Sequence, residues 1–141
     1  MRKIIIIVAM VVGIFNLYGD TLKNANQSIQ IIDSAIQKIT DEKFQDGINI
    51  LKKYCIFSSI QMDSIGVEMQ KQWPLIKENY GNKVGTEYIK TESIGKSFAR
   101  VIMLAKYDRF ALVFYTILYN SKDGWIIVDF TFNDKVRDLF E

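Results

Sequence analysis

Residues 110–133, FALVFYTILYNSKDGWIIVDFTFN, carry the pattern that decides the fold. Two runs rich in Val, Ile, Phe, Tyr and Thr, residues 110–120 and 124–133, flank a polar turn that ends in Asp123-Gly124. β-Branched and aromatic residues favour strands, and an Asp-Gly step between two such runs is a strong hairpin signal. This stretch therefore predicts an antiparallel hairpin.

The two faces of this hairpin carry different side chains, because successive residues in a strand point to opposite sides. Strict alternation along the last strand puts Asp129 on the same face as Trp125 and Ile127. Residues 110–120 are apolar on both faces, which is typical of a central strand that is covered on both sides. We therefore expect a partner on the outer face of the sheet, and a homodimer is the first expectation.

The preceding segments complete an antiparallel meander. Residues 84–93 and 97–107 are also rich in β-branched and aromatic residues, and short turns join all four segments. Upstream, apolar residues recur at intervals of three and four over residues 20–40, 42–57 and 63–79, which predicts three amphipathic helices. The expected fold is α+β, with helices packed on a curved four-stranded antiparallel sheet, a cone-shaped α+β roll.

Two local features refine the helical half. Asp20 or Thr21 can cap the first helix, so we expect it to begin there. Pro74 lies inside the third helix, where it removes a hydrogen bond, and it predicts a kink or break near Gln72-Trp73.

Residues 1–19, MRKIIIIVAMVVGIFNLYG, have the layout of a secretory signal peptide. Arg2 and Lys3 precede an apolar run, and Gly19 is a small residue at the expected cleavage site. The alternative is a retained membrane anchor, but a spanning helix needs roughly 20 apolar residues and this run is shorter. We expect cleavage, export to the periplasm or beyond, and a mature chain that is not membrane-bound. That mature chain, residues 20–141, is expected to form one domain with helices over 20–80 and the sheet over 84–133.

The composition excludes several chemistries. The chain has no histidine, so Ser-His-Asp and Cys-His catalysis cannot be built from it. Cys55 is the only cysteine, which leaves no usual ligand set for zinc, and its apolar surroundings predict a buried thiol. Once Arg2 and Lys3 leave with the leader, 16 basic residues remain against 16 acidic ones. A neutral domain has no electrostatic footprint for nucleic acid, and we expect no metal or cofactor.

Three stretches together resemble a known architecture: Asn79-Tyr80-Gly81 at the end of the third helix, the aromatic strand Phe110–Tyr119, and Gly124–Phe130 in the last strand. Their order resembles the cystatin-like cone of the nuclear transport factor two-like superfamily, which includes small exported bacterial proteins of unknown function. The resemblance covers about residues 40–141. It implies a ligand cavity at the open end of the cone. It also implies a functionally mixed family, in which some members are isomerase-like enzymes and others only bind or dimerise.

Asp129 is the most informative candidate for acid–base catalysis, because it is a carboxylate inside an apolar strand. A desolvated carboxylate can act as an acid or a base. Tyr115 or Tyr119 on the neighbouring strand can supply a phenol, and the resemblance implies that isomerase-like members pair a carboxylate with a phenol in the cone. The alternative is an exposed Asp129 on the outer face of the sheet, paired with a cation such as Arg100.

Aromatic residues around the predicted cone provide the candidate ligand-binding set. The residues that we expect to bind a ligand are Trp73, Tyr80, Tyr115, Tyr119, Trp125 and Asp129. The leading interpretation is an exported, non-catalytic module that binds a small apolar ligand, a peptide or a protein. The alternatives are an isomerase- or hydrolase-like enzyme that uses Asp129 and Tyr115, and an inhibitor or immunity-type partner of another exported protein.

Overall fold

A computed structural model describes residues 21–141, except for the side chain of Ala25. The predicted signal peptide and its cleavage site lie outside the described residues. Three helices come first, followed by four strands and a short 3-10 helix. No helix within residues 21–141 has the length and hydropathy to cross a membrane.

Helix α1 runs from Ala25 to Thr40, and Asn24 caps it by accepting a hydrogen bond from the backbone N–H of Gln27 at 2.9 Å. The expected start at Asp20 or Thr21 is therefore wrong. Leu22 instead pairs with Trp125 in an antiparallel bridge, with backbone N···O distances of 2.8 and 2.9 Å. Residues in extended pairing with a sheet edge cannot also join a helix, so α1 begins after Asn24.

Helix α2 spans Phe44–Lys52 and is shorter than the predicted 42–57. Beyond it the chain runs along the edge of the sheet, where the N–H of Ile127 donates to the carbonyl of Tyr54 at 2.7 Å. Cys55 forms a bridge with Ile127 there, and its side chain is buried, as the sequence predicts.

Helix α3 spans Ser59–Tyr80, so it begins four residues before the expected position 63. Ser58 forms a capping box with Gln61, which fixes this earlier start. The helix continues through Pro74, and the predicted break is wrong: Trp73 and Ile76 are both buried on the sheet side and hold the two flanking turns against the core. The predicted stop is confirmed, because Gly81 caps the helix with φ of 88°.

The four strands are β1 (Lys83–Ile94), β2 (Phe98–Tyr107), β3 (Ala111–Ser121) and β4 (Gly124–Asn133). They pair in the order β1-β2-β3-β4, each antiparallel to the next. The predicted α+β fold and the antiparallel meander are therefore confirmed. The 3-10 helix η1 (Val136–Phe140) follows β4 and packs beside β3.

The helices cover one face of the sheet, which we call the helix face; the opposite side is the outer face. The main core lies on the helix face, where Trp73, Phe114 and Phe132 meet. The ring centroids of Phe114 and Phe132 are 5.2 Å apart, and those of Trp73 and Phe132 are 5.9 Å apart. The space between helices and sheet is thus occupied by large apolar side chains.

A β-bulge in β4 reverses the alternation that the sequence predicts. Ile117 pairs with Asp129, whereas the next residue, Leu118, pairs with Ile127, so Val128 has no cross-strand partner in this ladder. The extra residue switches the faces of β4. Ile127 and Phe130 therefore both belong to the main core, and the placement of Asp129 on the face of Ile127 is wrong.

Candidate functional site

Two cross-strand rows of side chains on the outer face form the sheet side of the candidate site. Each row takes one residue from every strand, because neighbouring strands pair without interruption here. The first row is Glu92, Arg100, Ile117 and Asp129, and the second row is Lys90, Ile102, Tyr115 and Thr131.

A cavity of about 380 Å³ lies over these two rows. Asn133 at the end of β4, Asp138 in η1 and the terminal Glu141 complete its lining. The segment after β4 packs beside β3, and through Asp138 and Glu141 it contributes to the lining of the cavity. The cavity is therefore built from all four strands and from the C-terminal segment.

Arg100 and Glu92 form the best-defined ion pair of the site. The guanidinium Nε and Nη2 of Arg100 donate to Oε1 of Glu92 at 2.8 and 2.6 Å. Lys90 Nζ lies 3.7 Å from the other oxygen of the same carboxylate. The hydrogen bond from Arg100 lowers the pKa of Glu92. Because both partners are well exposed, the pair orients the side chains more than it stabilises the fold.

Tyr115 sits between this ion pair and the C-terminal segment. The guanidinium of Arg100 lies over its ring, 5.3 Å from the centroid, in cation–π geometry. Burial raises the pKa of the Tyr115 phenol, the charge of Asp138 raises it further, and Arg100 opposes both. The phenol therefore stays protonated at neutral pH and can both donate and accept a hydrogen bond.

Thr131 and Asn133 are the most buried polar residues of the cavity, with 5% and 4% of their surface exposed. The Thr131 hydroxyl makes no hydrogen bond to another described residue. The Oδ1 atom of Asn133 accepts from the backbone N–H of Lys135 at 2.9 Å, which fixes the amide and leaves its nitrogen as a donor. Buried polar groups usually find partners, so these two side chains are suited to a bound molecule.

The structure brings together two of the six expected ligand-binding residues. Tyr115 and Asp129 lie on neighbouring strands and line the same cavity. Asp129 is on the outer face, as the alternative interpretation requires, but Arg100 pairs with Glu92. Tyr119 also faces outward, yet it contacts Phe98 at a ring distance of 5.2 Å and does not line the cavity.

The other three expected residues lie on the helix face. Trp73 is 1% exposed and packs edge-on against Phe44, which makes it a core residue. Tyr80 donates a hydrogen bond from its hydroxyl to Oδ2 of Asp134 at 2.7 Å. Trp125 packs against the main core. The six residues thus do not share one site.

Sequence reasoning missed most of the polar lining, including Thr131, Asn133 and Asp138. The first two sit in a strand whose faces depend on the bulge, and Asp138 reaches the cavity only through the return of η1. A signal for the outer face was present in the charged residues Lys90 and Glu92, which are separated by one position in an otherwise strand-like segment.

Within residues 21–141 no group of Cys, Asp and Glu side chains is arranged to hold a metal ion. No protein-family model, curated protein or solved structure matches this chain. The resemblance to the nuclear transport factor two-like superfamily therefore stays a prediction from element order.

Proposed function

We propose that the chain is an exported, non-catalytic binding module whose ligand occupies the outer-face cavity. One observation carries this proposal: the cavity combines the half-buried Tyr115 with the nearly buried Thr131 and Asn133, and residues 138 and 141 after β4 add to its lining. Concave pockets with a few convergent polar groups are the usual ligand sites of proteins. The volume of about 380 Å³ lies in the lower part of their roughly 300–1,000 Å³ range, which favours a small ligand.

The position of the cavity changes the kind of ligand that we propose. A cone cavity between helices and sheet would favour an apolar molecule, but large core side chains such as Phe114 and Trp73 fill that region. The outer-face cavity is lined by charged and hydrogen-bonding groups. A polar or amphipathic small molecule therefore suits the geometry better than a purely apolar one. Export rests on the layout of residues 1–19 alone.

An enzyme that uses Asp129 and Tyr115 is the second candidate, because both side chains line the same cavity. The raised pKa of Tyr115 suits a phenol that donates a hydrogen bond to a developing oxyanion, and it does not suit a phenolate base. Serine and cysteine do not occur among the described lining residues, so a hydrolase that uses either of them as its nucleophile does not fit this cavity.

We also propose that a second copy of the chain packs against the apolar end of the outer face to form a homodimer. Ile94, Phe98 and Tyr119 are aligned across β1, β2 and β3 there, and all three are exposed. Light scattering after gel filtration should give the mass of a dimer, and Phe98→Asp should give a monomer. A monomeric wild-type protein at all concentrations tested would exclude this pairing. The inhibitor or immunity-type role has no supporting contact.

The binding function can be tested by titrating a library of small polar fragments into isotope-labelled protein and following amide chemical shifts. We expect hits that shift Tyr115, Thr131 and Asn133. Thr131→Val keeps the shape of the side chain but removes the hydroxyl, and it should weaken those hits about tenfold, in line with the loss of one hydrogen bond.

Thr116→Val is the matched control for this experiment. Thr116 is fully buried in the same pair of strands, its hydroxyl also has no partner, and it does not line the cavity. The control should leave fragment binding unchanged. A library that shifts no cavity residue, or equal losses in both variants, would refute the proposed function.

A further inference from the structure

We propose that the outer-face cavity recognises a positively charged group, an ammonium or a guanidinium, on its ligand. This inference rests on the proposed function and specifies its ligand class. It depends on three observations: the balance of charge in the lining, the direction of the electrostatic field at Tyr115, and a nearly buried hydroxyl without a partner.

Carboxylates outnumber cations around the cavity. The described lining holds four carboxylate side chains and two cationic ones. The carboxylates are Glu92, Asp129, Asp138 and Glu141, and the cations are Lys90 and Arg100. Both cations lie within 3.7 Å of the Glu92 carboxylate. No described cation forms an ion pair with Asp138 or Glu141, so these two carboxylates give their side of the lining an excess of negative charge.

The charges that act on Tyr115 show the same excess of negative charge inside the cavity. Burial is the largest cause of the raised pKa of Tyr115, and among the described residues the charge of Asp138 comes next and outweighs the opposing charge of Arg100, with smaller contributions from Glu92 and Glu141 that also raise it. The field at the phenol thus favours positive charge even though a guanidinium lies over the ring. A cation placed there gains from the carboxylates and can donate hydrogen bonds to the phenol oxygen.

The hydroxyl of Thr131 offers a ligand a polar contact in the cavity. Thr131 as a residue is 5% exposed and lies in the row that contains Tyr115, and no described residue hydrogen-bonds to its hydroxyl. An ammonium carries only donors and a guanidinium likewise, so each matches a hydroxyl oxygen that lacks a donor. An anion could accept hydrogen bonds from the neutral donors of the cavity, but only Arg100 and Lys90 of the described lining are positively charged, and binding the anion would compete with the contacts of both residues to Glu92.

A matched series of five-carbon probes tests this inference: pentane-1,5-diamine, pentane-1,5-diol and pentanedioate. All three have five carbons, and their ends are cationic, neutral and anionic, respectively. In amide chemical-shift titrations of the whole protein, we expect the diamine to shift Tyr115 and Thr131 with at least about tenfold higher affinity than the diol, and pentanedioate to bind most weakly. The affinity of the diamine should fall as salt is added, because the carboxylates are partly exposed.

The double variant Asp138→Asn, Glu141→Gln removes two carboxylates next to the cavity. It should weaken binding of the diamine about fivefold and leave binding of the diol unchanged, because both carboxylates are exposed and exposed charge pairs contribute little each. Glu78→Gln with Asp123→Asn is the matched control, since it removes the same charge from exposed positions that do not line the cavity. The control should retain the affinity of the wild type.

The source of the cation is distinguished by a second arm with a short peptide, Gly-Gly-Lys-Gly-Gly. Tighter binding of the peptide than of the diamine supports a polypeptide lysine as the ligand, and the reverse order supports a small free amine. If the diol or pentanedioate shifts the same residues with equal or higher affinity than the diamine, the charge inference is wrong and the proposed function stands. If none of these probes shifts a cavity residue, the charge inference is wrong, and the fragment library described above decides the proposed function separately.

Discussion

Ile127 and Asp129 are two residues apart in β4, yet they lie on opposite faces of the sheet. The bulge at Val128 separates them, so Ile127 enters the core and Asp129 reaches the outer-face cavity. This single extra residue places a carboxylate beside Tyr115, which regular pairing would have prevented.

The bulge can be tested by placing asparagine at each of two positions in β4. Ile127→Asn should lower the free energy of unfolding by about 3 kcal/mol or more, because it buries an amide at a fully buried site. Asp129→Asn should change it by less than about 1 kcal/mol, since that position is only partly buried on the outer face. Denaturant unfolding measures both. Equal losses would mean that the two side chains share a face.

The strands were predictable from sequence because their signals are local. β-Branched residues, short turns and the Asp123-Gly124 step all act within a few positions, and the structure follows them to within about a residue. The helix stop at Gly81 is equally local. The bulge is different, because it depends on the register between Ile117 and Asp129, and strict alternation does not reveal a shift of pairing.

The start of α1 and part of the cavity lining could not be predicted from the sequence either, because they too depend on pairing between residues that are far apart in the chain. Leu22 pairs with Trp125, which lies at the other end of the chain, so the helical pattern near Leu22 is overridden by a distant strand edge. Tyr115 and Asp129 could be named from residue type alone. Thr131 and Asp138 could not, since one depends on the bulge and the other on the return of η1.

Gly47 is required by the close approach of α1 and α2. A Cβ atom there would lie 2.6 Å from Cγ1 of Ile39 and 2.7 Å from the carbonyl oxygen of Ala35. Gly47→Ala should therefore destabilise the protein by about 1–3 kcal/mol, although alanine is the better helix former. Gly66→Ala is the comparison, because its nearest neighbour, Ile48, lies at 3.3 Å. It should be close to neutral in thermal unfolding, and a loss at Gly66 as large as at Gly47 would contradict the argument.

Glu42 has a left-handed backbone, with φ of 64°, at the end of α1. The N–H of Lys43 bonds to the carbonyl of Lys38, and the N–H of Glu42 bonds to that of Ile39, which is the Schellman pattern that favours glycine at this position. Both Glu42→Gly and Glu42→Ala lose the ion pair with Lys77, so their difference isolates the backbone. Glycine should be about 1 kcal/mol more stable than alanine in denaturant unfolding. Equal stability would show that the turn carries no strain.

Export makes a prediction about the mature N-terminus. If residues 1–19 are a signal peptide, mass spectrometry of the protein recovered from a periplasmic or secreted fraction should find a chain that begins at Asp20. Replacing Ile7 and Val8 with Asp breaks the apolar run and should keep the protein in the cytosol with its leader intact. An intact leader on wild-type protein from the exported fraction would favour the anchor.

The raised pKa of Tyr80, which is partly buried and donates a hydrogen bond to Asp134, makes stability depend on pH in the alkaline range. Burial, together with the hydrogen bond to Asp134 and its charge, raises the pKa of Tyr80 to about 12, from 10.0 for an ordinary tyrosine. Above the ordinary value the unfolded chain releases this proton while the folded chain retains it. Stability from this group is therefore complete below pH 10 and is lost as the pH rises toward 12.

Two variants distinguish the ionisation of Tyr80 from other causes of lost stability at alkaline pH. Tyr80→Phe should remove one late-ionising phenol from the tyrosinate absorbance titration and should flatten the decline of stability between pH 10 and 12. Asp134→Asn should move the ionisation of Tyr80 only part of the way back toward 10.0, because burial is the larger cause of the shift and the carboxylate the smaller one. A Tyr80 that titrates near 10 in the wild type, or a full return in Asp134→Asn, would contradict this order of causes.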